Sequence, residues 1–391
     1  MNIPLPVQVV RCGIRKSLGS SAEIAGGPEL QMQKAAGKRM SRGATIFGGG
    51  SRPIAKAAAA VLSIMLLQLV APVAGQARPA IAEIGGLPAN IERLYNSGHY
   101  QEAAEALTAA AEAEPKEPAL PYWLGRCFYE MRDFARSVSS FEHAIALDAE
   151  RSEFHDWLGR AWGRKAEESG PLAAFSALSM ARKASHEFAT AVRLDAGNLE
   201  AQRDLIRYLL NAPGIAGGSE ERAQEQINAL AAIDPIEGRL ARAELFTTHK
   251  KFDQADEEYQ KILHLPLRRE SVALEIAEYY RDKEDGEHMQ EAVNIAAGLD
   301  PADRRLQYYR GVVLILTHRN AAEAEKNLRA YMDSVPNSAE VPPHASAHEW
   351  LGRLYEGEQK LDLAAQEYEA AQTLEPHNKG IREALKRVQK K

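Results

Sequence analysis

The strongest constraint on the fold of this 391-residue chain is a tetrapeptide that occurs twice at a fixed distance. Trp123-Leu124-Gly125-Arg126 is followed by Trp157-Leu158-Gly159-Arg160, so the two glycines lie 34 residues apart. Repetition at a period of about 20–50 residues is typical of arrays in which each unit packs only on its neighbours. The sequence is also rich in Ala and Leu, which favours helices. We therefore predict one long all-α repeat array.

Each unit is expected to form two antiparallel helices. The first carries a small residue where the helices cross, and the second carries Ala and an aromatic residue one turn apart, facing the same seam. A proline or another helix-stopping residue ends the pair. Eight units fit this pattern, starting near residues 84, 118, 152, 199, 236, 270, 304 and 345. Units 1–7 occupy 78–338, and 339–391 hold unit 8 and a final capping helix.

Two units exceed the period. Phe141 and Phe188 lie 47 residues apart, which places 13 extra residues near 163–180 in the third unit. In the fourth unit a Gly-rich insertion covers 211–219. It precedes a helix but lacks the Lys-Ser/Thr pair and the preceding strand of a phosphate loop. A tight inter-helix loop is therefore favoured.

Over about 300 residues these recurring features resemble the tetratricopeptide repeat family. The opening Trp157–Ala161, the lengthened third unit and the loop Ala212–Gly218 resemble a subgroup of exported bacterial tetratricopeptide proteins. The resemblance implies a right-handed α-solenoid of about eight helix-turn-helix repeats with a C-terminal capping helix. It also implies a concave groove that binds peptides or partner helices, and no catalytic activity.

The resemblance further implies that the first helices line this groove and that the residue after the signature glycine faces it. The candidate partner-binding residues are Arg126, Arg160, Arg203, Arg207, Arg353, Tyr122 and Tyr129. Successive guanidinium groups would form a basic stripe suited to an acidic peptide or a C-terminal carboxylate. Two alternatives stay open. The arginines could pair with acidic residues of neighbouring units, and the tyrosines could pack between helices.

The beginning of the chain differs from the rest in charge. Residues 1–77 carry nine Lys or Arg and two Asp or Glu, whereas 39 basic and 52 acidic residues follow. The formal charge is thus +7 for the first part and −13 for the body. An acidic body argues against a nucleic-acid-binding protein.

Residues 40–77 have the basic, apolar and small-residue order of a secretory signal peptide. The apolar run Ala57–Val70 is shorter than the ~20 residues of a spanning helix. We predict cleavage near Gln76 or Arg78 and an exported, periplasmic or extracellular protein without a membrane span. An uncleaved inner-membrane anchor at 57–70 is the alternative. Residues 1–39 are expected to be disordered, or to precede a true start at Met40.

No residue set predicts a catalytic, cofactor or metal site. His344 and His348 could share a helix face but lack a third ligand at metal-site spacing. Cys127 is typical of a small core residue. The leading hypothesis is a non-catalytic scaffold that binds a partner peptide or protein in the groove. Two alternatives are a regulatory or accessory subunit of an envelope enzyme or assembly machine, and an enzyme that uses the two insertions.

Overall fold

The computed structural model describes residues 87–169 and 173–390, and within them every regular element is helical. Eight antiparallel pairs are followed by one final helix: α1 Ala89–Asn96, α2 Tyr100–Ala113, α3 Ala119–Glu130, α4 Phe134–Leu147, α5 Ser152–Glu167, α6 Ala174–Leu194, α7 Leu199–Asn211, α8 Glu220–Ile233, α9 Pro235–Thr248, α10 Phe252–Leu263, α11 Glu270–Asp282, α12 Gly286–Leu299, α13 Leu306–Leu316, α14 Ala321–Ser334, α15 His344–Gly357, α16 Leu361–Leu374 and α17 Lys379–Val388.

The fold is therefore the expected α-solenoid of eight helix pairs, here called repeats 1–8, with a single helix at its end. That helix, α17, packs on α16 and buries Ile381, Leu385 and Val388, as a terminal cap does. The predicted leader segments 1–39 and 40–77 lie outside the described residues. In the part of the chain that is described, the helices are all too short or too polar to cross a membrane.

A left-handed backbone residue recurs in the turns inside the pairs and sets their period. Positive φ angles occur at Gly98, Arg132, Lys250, Glu284, His318 and Gln359. Positions 98 and 132 lie 34 residues apart, as do 250, 284 and 318. This conformation costs a non-glycine residue about 1–2 kcal/mol, so packing of the two helices must offset it. Asp133 and Asp285 then begin the second helices by accepting backbone hydrogen bonds at the N-cap.

The crossing of the two helices requires glycine where the prediction placed it. A Cβ on Gly125 would lie 2.8 Å from the ring of Phe141, and one on Gly159 would lie 2.7 Å from Phe188. The same relation joins Gly352 to Tyr368, at 2.6 Å. The helices approach so closely that the aromatic ring fills the space of the missing side chain. The predicted small-residue and aromatic seam is thus confirmed.

The extra residues of repeat 3 mostly prolong its helices. Helix α5 has 16 residues and α6 has 21, whereas α8, α9 and α12 have 14. The insertion of repeat 4 is a loop with one 3₁₀ turn, Gly214–Ala216, and a left-handed Gly217. The Tyr208 hydroxyl bonds the carbonyl oxygens of Ala181 and Ala216 at 2.6 and 2.7 Å, which ties this loop to α6.

First helices of neighbouring repeats also pack directly on one another. Such contacts join α3 to α5, α5 to α7, α7 to α9, α11 to α13, and α13 to α15. The surface made by the first helices is here called the first-helix face. All the predicted partner-binding residues lie on its helices.

Candidate partner-binding site

Arginines and carboxylates of the first-helix face form a continuous series of ion pairs from repeat 3 to repeat 6. This series, here called the charge ladder, consists of Arg160, Arg203, Arg207, Asp204, Glu237, Glu244 and Glu275. Arg160 in α5 donates to Asp204 in α7 at 2.5 Å. Arg207 bonds Asp204 and Glu244, each at 3.0 Å, and so connects α7 to α9.

Arg203 is the most extensively paired member of the charge ladder. Its guanidinium bonds Glu237 in α9 at 2.9 Å and also Glu275 in α11, two repeats further on. Its residue exposure is 6%. Burial opposes ionisation, but the surrounding carboxylates outweigh this effect and raise the pKa of Arg203 well above its usual range. The guanidinium therefore stays charged and holds three repeats in register.

The expectation of a basic stripe is wrong in one respect. Three arginines of the charge ladder face four carboxylates, so this part of the face is not a basic surface. Asp156 adds a further carboxylate 3.1 Å from Arg160 and is 2% exposed. The sequence could not exclude the alternative that the arginines pair between units, and the structure places them in such pairs.

Arg126 lies in a cage of aromatic rings. Its Cζ atom is 3.6 Å from the ring centre of Trp157, 5.4 Å from Trp123 and 5.6 Å from Tyr95. Its Nη1 donates to the Tyr122 hydroxyl at 3.3 Å. A desolvated guanidinium over aromatic faces is stabilised by the ring quadrupoles and loses little freedom when it binds an anion. Arg126 is therefore held ready to bind a carboxylate.

The carboxylate bound by Arg126 comes from the other end of the array. Residues 335–343, here called the linker, connect α14 to α15 and are not helical. Arg126 donates to Oε2 of Glu340 at 3.1 Å, and the Ala339 backbone N–H donates to Oε2 of Glu130 at 2.9 Å. The linker thus lies against repeats 1 and 2 while it joins repeats 7 and 8.

Two further contacts seat the linker. Burial raises the pKa of Tyr100, and the adjacent Ser338 side chain acts in the opposite direction, which places the two side chains next to each other. A Cβ on Gly98 would lie 2.2 Å from Cβ of Pro336, so only glycine allows this approach. Gly98 also has a φ of +79°, which glycine adopts without strain. Gly98 therefore has two roles: its left-handed backbone closes the turn between α1 and α2, and its missing side chain leaves room for Pro336 of the linker.

Glu130 and Glu340 place two carboxyl groups beside the single Arg126 guanidinium. Burial, together with repulsion from Glu340, raises the pKa of Glu130 to about 8, although Arg126 and the Ala339 N–H act in the opposite direction. Glu130 also accepts from the Tyr95 hydroxyl at 3.4 Å. At neutral pH a proton is therefore retained at this contact.

The remaining predicted residues take no part in the linker hydrogen bonds described above, although Tyr122 supports Arg126. Tyr122 is 3% exposed and stacks on Phe154 at 5.0 Å between ring centres. Tyr129 packs edge-on against Trp157 at 5.3 Å, so both tyrosines fill the space between helices. Arg353 lies over the Trp350 ring and bonds Glu284 at 2.6 Å. Binding of a partner by these residues stays a prediction.

Sequence reasoning missed the linker as a functional element. It assigned 339–391 to unit 8 and the capping helix without a binding role for residues 339–343, and it did not single out Glu130, Tyr95 or Tyr100 for binding. No local pattern could have paired Arg126 with Glu340, since the two residues lie 214 positions apart. The aromatic cage was present in the sequence as the repeated signature tryptophans.

The two histidines have separate partners. His344 Nε2 lies 2.8 Å from the Val335 carbonyl oxygen, and His348 Nδ1 lies 2.6 Å from Glu367. Within residues 87–169 and 173–390 no group of three or more His, Cys, Asp or Glu side chains could hold a metal ion.

Comparison with known families assigns the helix pairs. Residues 94–160 and 316–379 each match a family model described as tetratricopeptide repeat. The chain carries tetratricopeptide repeats. One tetratricopeptide match runs from the end of α1 into α5, and the other from the end of α13 to the start of α17. Tetratricopeptide repeats indicate a protein–protein interaction scaffold, and neither match is to an enzyme family.

Individual proteins match this chain at low sequence identity. Intraflagellar transport protein 70A of Bos taurus is 25% identical over 159 residues, 38% of this chain and 24% of that protein. This chain therefore matches about a quarter of that relative's length. A tetratricopeptide protein from Parabacteroides merdae is 16% identical, with a TM-score of 0.42, over 68% of this chain and 96% of that chain. The C-terminal part of a tetratricopeptide protein from Cytophaga hutchinsonii is 16% identical, with a TM-score of 0.35, over 76% of this chain and 98% of that chain.

Proposed function

We propose that this protein is an exported, non-catalytic scaffold that binds an extended segment of a partner polypeptide on its first-helix face. The observation that carries the proposal is the linker contact, in which this face already binds a non-helical stretch of polypeptide. Arg126 takes a carboxylate and Glu130 takes a backbone N–H, which are groups that any acidic peptide offers.

Site-specific photo-crosslinking tests the proposed surface. A photoreactive phenylalanine analogue replaces Glu200 on α7, and in the matched protein it replaces Glu323, a partly exposed residue on the second helix α14. After irradiation in an envelope extract, we expect a crosslinked partner polypeptide from position 200 and none from position 323. Crosslinks to the same partner from position 323 alone would place binding on the other face and overturn the proposal.

Export is proposed from the order of basic, apolar and small residues at 40–77. The test is N-terminal sequencing of the protein recovered from a fractionated bacterial host. A soluble envelope form that begins near Gln76 or Arg78 is the expected product. An unprocessed form in the membrane pellet would instead support the anchor at 57–70, and unprocessed protein in the cytosol would refute export.

A further inference from the structure

The linker is held by the kinds of contact that a bound peptide makes. It supplies a backbone N–H from Ala339, a hydroxyl from Ser338 and a carboxylate from Glu340. All three contacts are made to repeats 1 and 2, whereas the helices that the linker joins belong to repeats 7 and 8. The Glu340 side chain is only 15% exposed, so the contact is well covered.

We propose that the linker is an internal ligand that occupies the place where repeats 1 and 2 bind a non-helical acidic segment of a partner, which binds by displacing it. This inference rests on the proposed function and specifies the class of segment that the first-helix face accepts. It also makes the contact autoinhibitory, because the site is closed until the linker leaves.

The geometry defines the segment that the site accepts. A carboxylate must reach the caged guanidinium of Arg126, and the residue before it must present its N–H to Glu130. A hydroxyl side chain two residues before the carboxylate reaches Tyr100. Four residues before the carboxylate, Pro336 packs against the bare backbone of Gly98. The ligand class is therefore a non-helical Pro-x-Ser/Thr-x-Glu segment that can form the turn seen at Ala339 and Glu340.

The linker can leave this site without unfolding a helix. Residues 335–343 are irregular, and both ends continue directly into α14 and α15. Displacement breaks a few hydrogen bonds, each worth about 0.5–1.5 kcal/mol net, or about 1.5–3 kcal/mol when one partner is charged. The array itself keeps its packing between neighbouring repeats.

The linker also satisfies the site incompletely. Within the described residues, Nε of Arg126 and Nε1 of Trp123 are buried without a hydrogen-bond partner. A buried donor that lacks an acceptor costs about 1–3 kcal/mol. The carboxyl groups of Glu130 and Glu340 also face each other, and they avoid repulsion only while one proton is retained between them. A partner that supplies an additional hydrogen-bond acceptor at the cage would satisfy one of these donors and would bind more favourably than the linker by that amount.

The effect of the linker on the apparent affinity for a partner peptide can be estimated. A segment tethered at both ends acts at an effective concentration of the order of millimolar. The apparent affinity for a peptide supplied in trans falls by the fraction of molecules in which the site is open. Weakening the linker without touching the site must therefore strengthen binding in trans.

The test measures binding of a fluorescent peptide, Val-Pro-Asn-Ser-Ala-Glu-Val-Pro-Pro, to the full chain by fluorescence polarisation. The open-linker variant carries Ser338→Ala and Glu340→Ala, which remove the two side-chain contacts and leave repeats 1 and 2 unchanged. We expect it to bind the peptide at least about tenfold more tightly than the wild type does. Asp333→Ala, an exposed carboxylate at the end of α14, is the control and should bind like the wild type.

A variant of the site establishes where the peptide binds. In the open-linker background, Tyr100→Phe removes one hydroxyl without changing the shape of the ring and should weaken binding about three- to tenfold. Arg126→Gln should abolish binding while the far-UV circular dichroism spectrum stays helical. Equal affinities of wild type and open-linker variant, or no binding to the open-linker variant at about 1 mM, would overturn the proposal.

Failure of this inference can be told apart from failure of the proposed function. If the photo-crosslinked partner is recovered in equal yield by the wild type and the open-linker variant, the first-helix face binds a partner but the linker does not compete. The opposite result is a missing crosslink at position 200 together with a tenfold difference in peptide affinity between the wild type and the open-linker variant. This result would support the linker as an internal ligand and would contradict the proposed partner surface.

Discussion

Arg126 in repeat 2 donates a hydrogen bond to Glu340 in the linker between repeats 7 and 8, although 214 residues of chain separate them. In a simple repeat array each unit contacts only its neighbours, so this contact adds a constraint that the repeat pattern does not contain. It also brings Glu130 next to Glu340, and the properties of that pair can be measured.

The first prediction concerns the pH dependence of stability. Tyr95, Tyr100, Arg126 and Glu340 face Glu130, whose pKa is raised to about 8 in the folded protein. The folded state therefore favours the protonated carboxyl, and this contribution is lost as the pH rises toward 8. Relative to Glu130→Gln, the wild type should lose about 1–3 kcal/mol of unfolding free energy between about pH 6 and pH 9.

Urea unfolding at both pH values measures this difference. Other titrating groups, including Glu167, have the same environment in both proteins. Their contributions to the pH dependence of the unfolding free energy therefore cancel when the two proteins are compared. Glu340→Gln should reduce the pH dependence as well, because it removes the repulsion that raises the pKa of Glu130. A wild type and a Glu130→Gln variant with parallel pH profiles would contradict the prediction.

The second prediction concerns the charge ladder. Arg203→Met leaves Glu237 and Glu275 without their shared guanidinium inside a buried network, and we expect a loss of about 3–5 kcal/mol. The matched control is Arg319→Met, whose partner Glu287 is exposed, and this change should cost less than about 0.5 kcal/mol. Chemical denaturation of both variants provides the comparison. Equal losses would show that burial of the ladder has no energetic consequence.

The third prediction contrasts two glycines of the same helix, α5. Gly159→Ala would place a Cβ 2.7 Å from the Phe188 ring and should destabilise the protein by about 1–3 kcal/mol through overpacking. Gly163→Ala meets nothing within 4 Å and should stabilise it by about 0.5–1 kcal/mol, since alanine is the better helix former. Thermal unfolding followed by circular dichroism should therefore shift in opposite directions.

The fourth prediction concerns the reactivity of Cys127. Its side chain is inaccessible to solvent, and burial raises the pKa of the thiol to about 12. Because the thiolate is the reactive form, a Cys12→Ala protein should label with a thiol reagent at least about 100-fold more slowly when folded than in denaturant. Fast labelling of the folded protein would show that α3 opens locally on the timescale of the reaction.

The helix pairs could be predicted because their determinants are local. Gly125 and Phe141 lie 16 positions apart, as do Gly352 and Tyr368, which form the same crossing. The left-handed turns at Gly98 and Arg132 lie 34 positions apart, as do those at Lys250 and Glu284. Periodicity of side-chain volume is sufficient to identify contacts of this kind, since both partners lie within one repeat.

The role of the arginines required the tertiary structure. In the sequence, Arg160, Arg203 and Arg207 predict a basic stripe. Same-helix spacing indicates only the pairs with Asp156 and Asp204, whereas Glu237, Glu244 and Glu275 are contributed by other helices. Arg203 bonds Glu237 and Glu275, which lie 34 and 72 positions away. A charge on a helix face is free or paired according to what the packed neighbours present, and a sequence pattern does not contain that information.

What the sequence determined by itself is the repeat, its helices and their seams, which depend on short-range periodicity. Only the tertiary structure decided that Arg126 is caged by Trp157 and bound to Glu340 from the far end of the chain. The physical reason is that such a contact depends on where successive repeats place distant residues and on how much water they exclude. Small rotations summed over the intervening repeats set both quantities.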